Sequence, residues 1–172
     1  PGSMDYVNGQ YITFKEDPKV ELIKFDIYRP DDGDIPITES RWEDLRILLF
    51  TTLLHEFRHV VQWRPRTCNN MFSKSFEKDK TDIIDYSYFS NLDEIDAFAF
   101  EQAWLLLAAC YGNIEKAKRI LSCHWEYETF SMHTFKQYHD NFRRDSKTWK
   151  RFGSAVYKWL HFFKENPLTL PE

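Results

Sequence analysis

From Ser40 to Trp63 the chain runs through good helix formers, and the end of this stretch carries His55-Glu56-Phe57-Arg58-His59. Ser40-Arg41-Trp42-Glu43 matches a capping box, in which a Ser hydroxyl and a Glu carboxylate satisfy free amides at a helix start. Arg64-Pro65 supplies the stop, because proline lacks the amide donor and disfavours helical geometry in the residue before it. The spacing therefore predicts a long, largely buried helix over 40–63 with the motif in its last two turns. At about 3.6 residues per turn, positions 55 and 59 share one face, and position 56 is rotated from 55 by about 100°.

Two imidazoles one turn apart can reach a single metal ion. Imidazole and carboxylate donors around an open fourth position suit Zn2+, which brings the pKa of its water toward neutrality. Glu56 falls beside the metal rather than on it, the place for a general base acting on a zinc-activated water. Two histidines and a glutamate would also be costly to bury without such a purpose.

A third protein ligand is expected from Asn91-Leu92-Asp93-Glu94-Ile95-Asp96-Ala97-Phe98-Ala99-Phe100-Glu101, read as the start of a second helix. Glu94 and Asp96 lie about 200° apart on a helix, so only one of them can face the metal. Glu94 shares a face with Ala97, Phe98 and Glu101, and the small Ala97 permits close packing; Glu94 is the preferred ligand and Asp96 the alternative. Glu101 is a candidate to hold the outer nitrogen of a histidine. Acids in a first turn also occur simply because they favour the helix dipole.

Thr52-Leu53-Leu54-His55-Glu56-Phe57-Arg58-His59-Val60-Val61 resembles the zinc-binding helix of the zincin metallopeptidases, and a downstream helical Glu is similar to their gluzincin branch. Glu94-Ile95-Asp96-Ala97-Phe98-Ala99-Phe100 resembles the E-x-E-A-x-x-F segment of ImmA/IrrE-like peptidases. The resemblance covers these two segments and none of the C-terminal third. It implies a zincin-like fold with His55, His59 and Glu94 as zinc ligands, Glu56 as catalytic base, and a protein or peptide as substrate. The sequence departs from the pattern twice. Arg58 replaces a usually uncharged residue and is expected to face solvent or an acid of the 77–85 stretch. Phe98 stands where many relatives carry an orienting Asp or Asn, leaving Glu101 or Asp93 as substitutes.

The remaining chain frames this site. Tyr11–Phe14 and Val20–Tyr28 have strand character, the second alternating with period two before the turn residues of 29–34. Residues 64–90 read as a long polar and aromatic connection, in which Tyr86-Ser87-Tyr88-Phe89 could form an edge strand. Further helices are expected from a Ser90 or Asn91 cap to about Tyr111 with a stop at Gly112, then over 113–123, 130–144 and 147–164. The expected class is α+β, mostly helical, with a small N-terminal antiparallel sheet. Residues 1–4 read as a cloning remnant and 5–172 as one domain with a helical C-terminal third. Tyr86, Tyr88, His124, His133 and His139 are candidates to stabilise an oxyanion.

With 42% hydrophobic and 17% aromatic residues among 172, the chain can bury a substantial core. Its three cysteines, Cys68, Cys110 and Cys123, form no C-x-x-C pair and read as free thiols of a cytoplasmic protein. No apolar run approaches the roughly 20 residues of a membrane span. Residues 129–164 hold eight Lys or Arg against two Asp, a net +6 within an overall −4, so the rest carries −10. The aromatic series Phe135, Tyr138, Phe142, Trp149, Phe152, Trp159 and Phe163 is most simply core. Interleaved with those cations, it also makes nucleic acid a secondary partner class. Two functions follow as expectations: a zinc metallopeptidase, or a zinc-binding regulatory or nucleic-acid-interacting domain on the same scaffold without peptidase activity.

Overall fold

The computed structural model describes residues 6–13, 21–28, 38–67, 86–122, 133–142 and 146–166. The fold is α+β, mostly helical, with one two-stranded antiparallel sheet among these residues. The chain divides into two compact units, 1–73 and 74–172. No helix among the described residues is long and apolar enough to cross a membrane.

In the first unit, β1 (Tyr6–Thr13) pairs with β2 (Glu21–Tyr28) in a register running from Tyr6 opposite Tyr28 to Thr13 opposite Glu21. The expected first strand began at Tyr11; the observed one begins five residues earlier. Asn8 and Gly9 are poor strand formers, but cross-strand pairing outweighs their intrinsic preference. In β2, Ile23 and Phe25 are partly covered while Leu22 and Lys24 are exposed, but the alternation fails beyond them, where Asp26 is partly covered and Ile27 is 49% exposed.

Helix α1 (Glu39–Thr67) packs on the sheet, chiefly on β1. It starts one residue before the expected cap at Ser40: the Thr38 carbonyl accepts from Trp42 N–H at 2.9 Å, so Thr38 is the N-cap. Glu43, expected to close the capping box, instead receives Arg46 at 2.9 Å on the helix surface. The helix also continues to Thr67 rather than stopping at Arg64. Proline's fixed φ is itself helical, so the chain completes its last turn after Pro65.

The second unit contains α2 (Tyr86–Ser90), α3 (Leu92–Ala109), α4 (Ile114–Ser122), α5 (His133–Asn141) and α6 (Lys147–Glu165). Residues 86–90 form a short helix, not an edge strand. Asn91 caps α3, its side-chain oxygen accepting from Asp93 N–H at 2.9 Å. That helix ends at Ala109, and Tyr111 and Gly112 follow with φ of 53° and 76°. Gly112 donates back to the Leu107 carbonyl at 2.8 Å, which is the stop expected of a glycine here. Ser146 caps α6 by accepting from Trp149 N–H at 3.0 Å.

Helix α3 lies against α6, and Ala99 and Ala103 let the two approach closely. The aromatic series is core: Phe135, Tyr138, Phe152, Trp159 and Phe163 are buried, with Phe142 and Trp149 packed against them. Tyr138 and Phe152 stack face to face with centroids 4.0 Å apart and planes 3° from parallel. Buried polar groups are paired across helices. Gln102 accepts from Phe135 N–H at 2.9 Å, and Tyr138 donates to the Phe89 carbonyl at 3.0 Å. Because Phe152 is fully buried, Phe152→Ala is expected to cost about 3–5 kcal/mol. Leu92→Ala, at an exposed position, should change stability by less than about 0.5 kcal/mol; equilibrium urea unfolding of both variants checks the contrast.

Candidate metal centre

The motif helix places its three chemical groups as its periodicity dictates. His55, Glu56 and His59 are 5%, 7% and 8% exposed, while Phe57, the next residue round the helix, is 53% exposed. The two imidazole rings stand nearly perpendicular, at 82°, and bring their Nε2 atoms to 3.1 Å. Two nitrogens bound to one tetrahedral zinc at about 2.05 Å would be separated by about 3.3 Å. The donor pair thus fits a zinc ion with almost no rearrangement.

The outer nitrogen of His59 is also defined. Its Nδ1 meets Gln62 Oε1 at 2.8 Å, and because a carbonyl oxygen can only accept, Nδ1 carries the proton. The lone pair of the neutral ring is then on Nε2, the atom aimed at His55. An acid at Glu101 or Asp93 was the expectation for this task; the group found is an amide on the motif's own helix, three residues after His59. Spacing of i,i+3 was the available signal.

Glu56 is held from the other side by β1. A Cβ placed on Gly9 would lie 2.5 Å from Thr52 Cγ2, 2.8 Å from Glu56 Cγ and 3.1 Å from Glu56 Oε1. Only glycine lets the strand come this close to Glu56. Thr52, whose methyl meets the strand, turns its hydroxyl back to the Leu48 carbonyl at 2.8 Å. Nothing in the sequence marked Gly9, since its role depends on which helix the strand meets.

The acids of the second unit have separate fates. Asp96 accepts from Trp159 Nε1 at 3.1 Å and so faces α6. Glu101 is buried and accepts from the Thr134 hydroxyl at 3.1 Å. Glu94 lies in the first turn of α3, half-buried, on the side of Tyr138. Burial, followed by the charges of Glu94 and Glu101, pushes the Tyr138 phenol well above its ordinary range, so it acts as a hydrogen-bond donor throughout the accessible pH range. Phe98 joins Phe89, Tyr88 and Tyr138 in an aromatic cluster, consistent with its lack of an orienting role.

Among the oxyanion candidates, Tyr88 is a member of that cluster. His139 pairs with Asp140 at 3.0 Å and meets the edge of Trp149 on α5 and α6. The side chains of Tyr86, His124 and His133 lie outside the described residues, as does the 77–85 stretch considered for Arg58. No protein-family model, no curated protein and no solved structure matches this chain.

Two substitutions probe the centre. Gln62→Ala is expected to weaken zinc binding about 10–100-fold by freeing the His59 ring, with Gln62→Glu restoring it; competition against a chromophoric chelator measures both. Gly9→Ala should cost about 1–3 kcal/mol in thermal or urea unfolding, because Thr52 and Glu56 must move aside.

Proposed function

We propose that the chain is a zinc-dependent metallopeptidase of gluzincin type, hydrolysing peptide bonds in a protein or peptide substrate. The observation that carries this reading is the 3.1 Å convergence of His55 and His59 Nε2 beside the buried carboxylate of Glu56. Glu94 supplies the third ligand. The preference for Glu94 over Asp96 is supported by Asp96 being engaged with Trp159 on another side of α3. A zinc ion held by these residues supplies a Lewis acid that polarises a peptide carbonyl and acidifies water.

The rest belongs to the side chains. Glu56 takes the proton from the attacking water and passes it to the leaving amine nitrogen, so one water is consumed and one amide C–N bond is broken. The buried position of Glu56 limits competing hydration of its carboxylate, and the close passage of β1 at Gly9 narrows the space open to its side chain. Gln62 holds the His59 ring through Nδ1, which leaves Nε2 as the nitrogen that would ligate the metal. The buried free thiol of Cys110 accords with a reducing, cytoplasmic setting.

Glu56→Gln is expected to retain one zinc per chain and to lose peptidase turnover by about 10²–10⁴-fold, measured against unfolded proteins with chelator controls. Glu94→Ala should lose the zinc, as read by metal analysis, whereas Asp96→Ala should keep it and lose about 1 kcal/mol of stability with the Trp159 hydrogen bond. Full turnover in Glu56→Gln would sink the mechanism. A zinc-loaded chain that cleaves no substrate would favour a regulatory zinc-binding domain instead.

A further inference from the structure

Helix α6 buries Phe152, Val156, Trp159, Leu160 and Phe163, and its opposite face is a stripe of cations. Lys147, Lys150, Arg151, Ser154 and Lys158 all fall within an arc of about 100° and span about 16 Å along the axis. All five side chains are exposed. Lys147, Lys150, Arg151 and Ser154 together line a depression of about 490 Å³.

The four cations of this stripe have no carboxylate partner among the described residues; Lys158 instead lies over the Trp159 ring at 5.2 Å. This happens in a chain with 27 acids and 23 Lys or Arg, where an arbitrary surface would offer them acids. Two aromatic rings lie at the C-terminal end of the stripe, on opposite sides of its line: Tyr157, 37% exposed, and, one turn beyond Lys158, Phe162, 45% exposed. The Tyr157 hydroxyl is tied to Ser122 on α4 at 2.9 Å, which holds its ring in place.

We infer that this face of α6 binds single-stranded nucleic acid, its cations on the phosphates and the rings of Tyr157 and Phe162 against bases. Cations in a row flanked by exposed aromatic rings are what a strand with unpaired bases requires. An acidic peptide would use the cations but not the rings. A membrane surface would need the apolar face of the helix, and that face is in the core. The inference rests on α6 and its contact with Ser122 of α4 and is independent of zinc and of Glu56, so either reading can fail without the other.

The test is fluorescence anisotropy of the full chain with labelled 15-residue oligo-dT and oligo-U from low to moderate salt. Four phosphate contacts predict a slope of log K against log salt near −3, at about −0.7 per contact. The triple variant Lys147→Glu, Lys150→Glu, Arg151→Glu should weaken binding at least about tenfold and flatten the slope to near −1. The same charge change at Lys24, Arg46 and Lys118 should leave the slope intact. Tyr157→Ala with Phe162→Ala should weaken binding at least about fivefold with the slope unchanged. No binding at low salt, equal loss in the two triple variants, tighter binding of a duplex of the same length, or equal competition by poly-glutamate would each overturn the proposal.

Discussion

The chemistry of the first unit depends on one helical turn. His59 follows His55 by four positions, and on an α-helix that spacing puts two side chains on one face, within reach of each other. Their Nε2 atoms settle at 3.1 Å, and the perpendicular rings keep the contact edge to edge. Once this pair is buried, the surroundings are constrained in turn. The outer nitrogen of His59 needs an acceptor, which Gln62 provides, and the carboxylate of Glu56 needs a wall, which β1 provides at Gly9. A bulkier residue at position 9 would meet the side chains of Thr52 and Glu56, so the strand and the helix could not keep this approach unchanged.

A different constraint organises the second unit. Helix α3 is lined with alanines where it meets α6, and this close approach brings Glu101, Gln102 and Asp96 to the neighbouring helices. Each then takes a hydrogen bond there, from Thr134, Phe135 N–H and Trp159 respectively. Buried polar groups cost free energy unless paired, so these bonds fix the rotation of α3 about its axis. That rotation turns Asp96 to α6 and leaves Glu94 on another side. The exposed face of α6 follows from the same packing, since burying Phe152, Trp159 and Phe163 forces Lys147, Lys150 and Arg151 outward.

Much of this was legible in the residues. Period-two alternation marked β2, and the aromatic series in 135–163 marked the core, because apolar periodicity reports directly which face is buried. A cap at Ser90 or Asn91 and a stop at Gly112 were readable because capping is local chemistry, and the structure selects Asn91. Less legible were the start of β1, which depends on a partner strand, and the first residue of α1, where Thr38 and Ser40 are both acceptable caps. Residues 86–90 illustrate a further limit: Tyr-Ser-Tyr-Phe has strand propensity, yet the segment is a helical turn running into α3.

By itself the sequence determined that a helix would carry His55 and His59 on one face with Glu56 alongside, because helix geometry converts spacing into direction without help from the rest of the chain. It also determined that Glu94 and Asp96 could not face the same way. Only the tertiary structure decided which acid was taken up by Trp159, that an amide at Gln62 rather than an acid would orient His59, and that Gly9 would lie against Glu56. These outcomes turn on side-chain rotamers and on contacts between residues far apart in the chain, and no local periodicity encodes either.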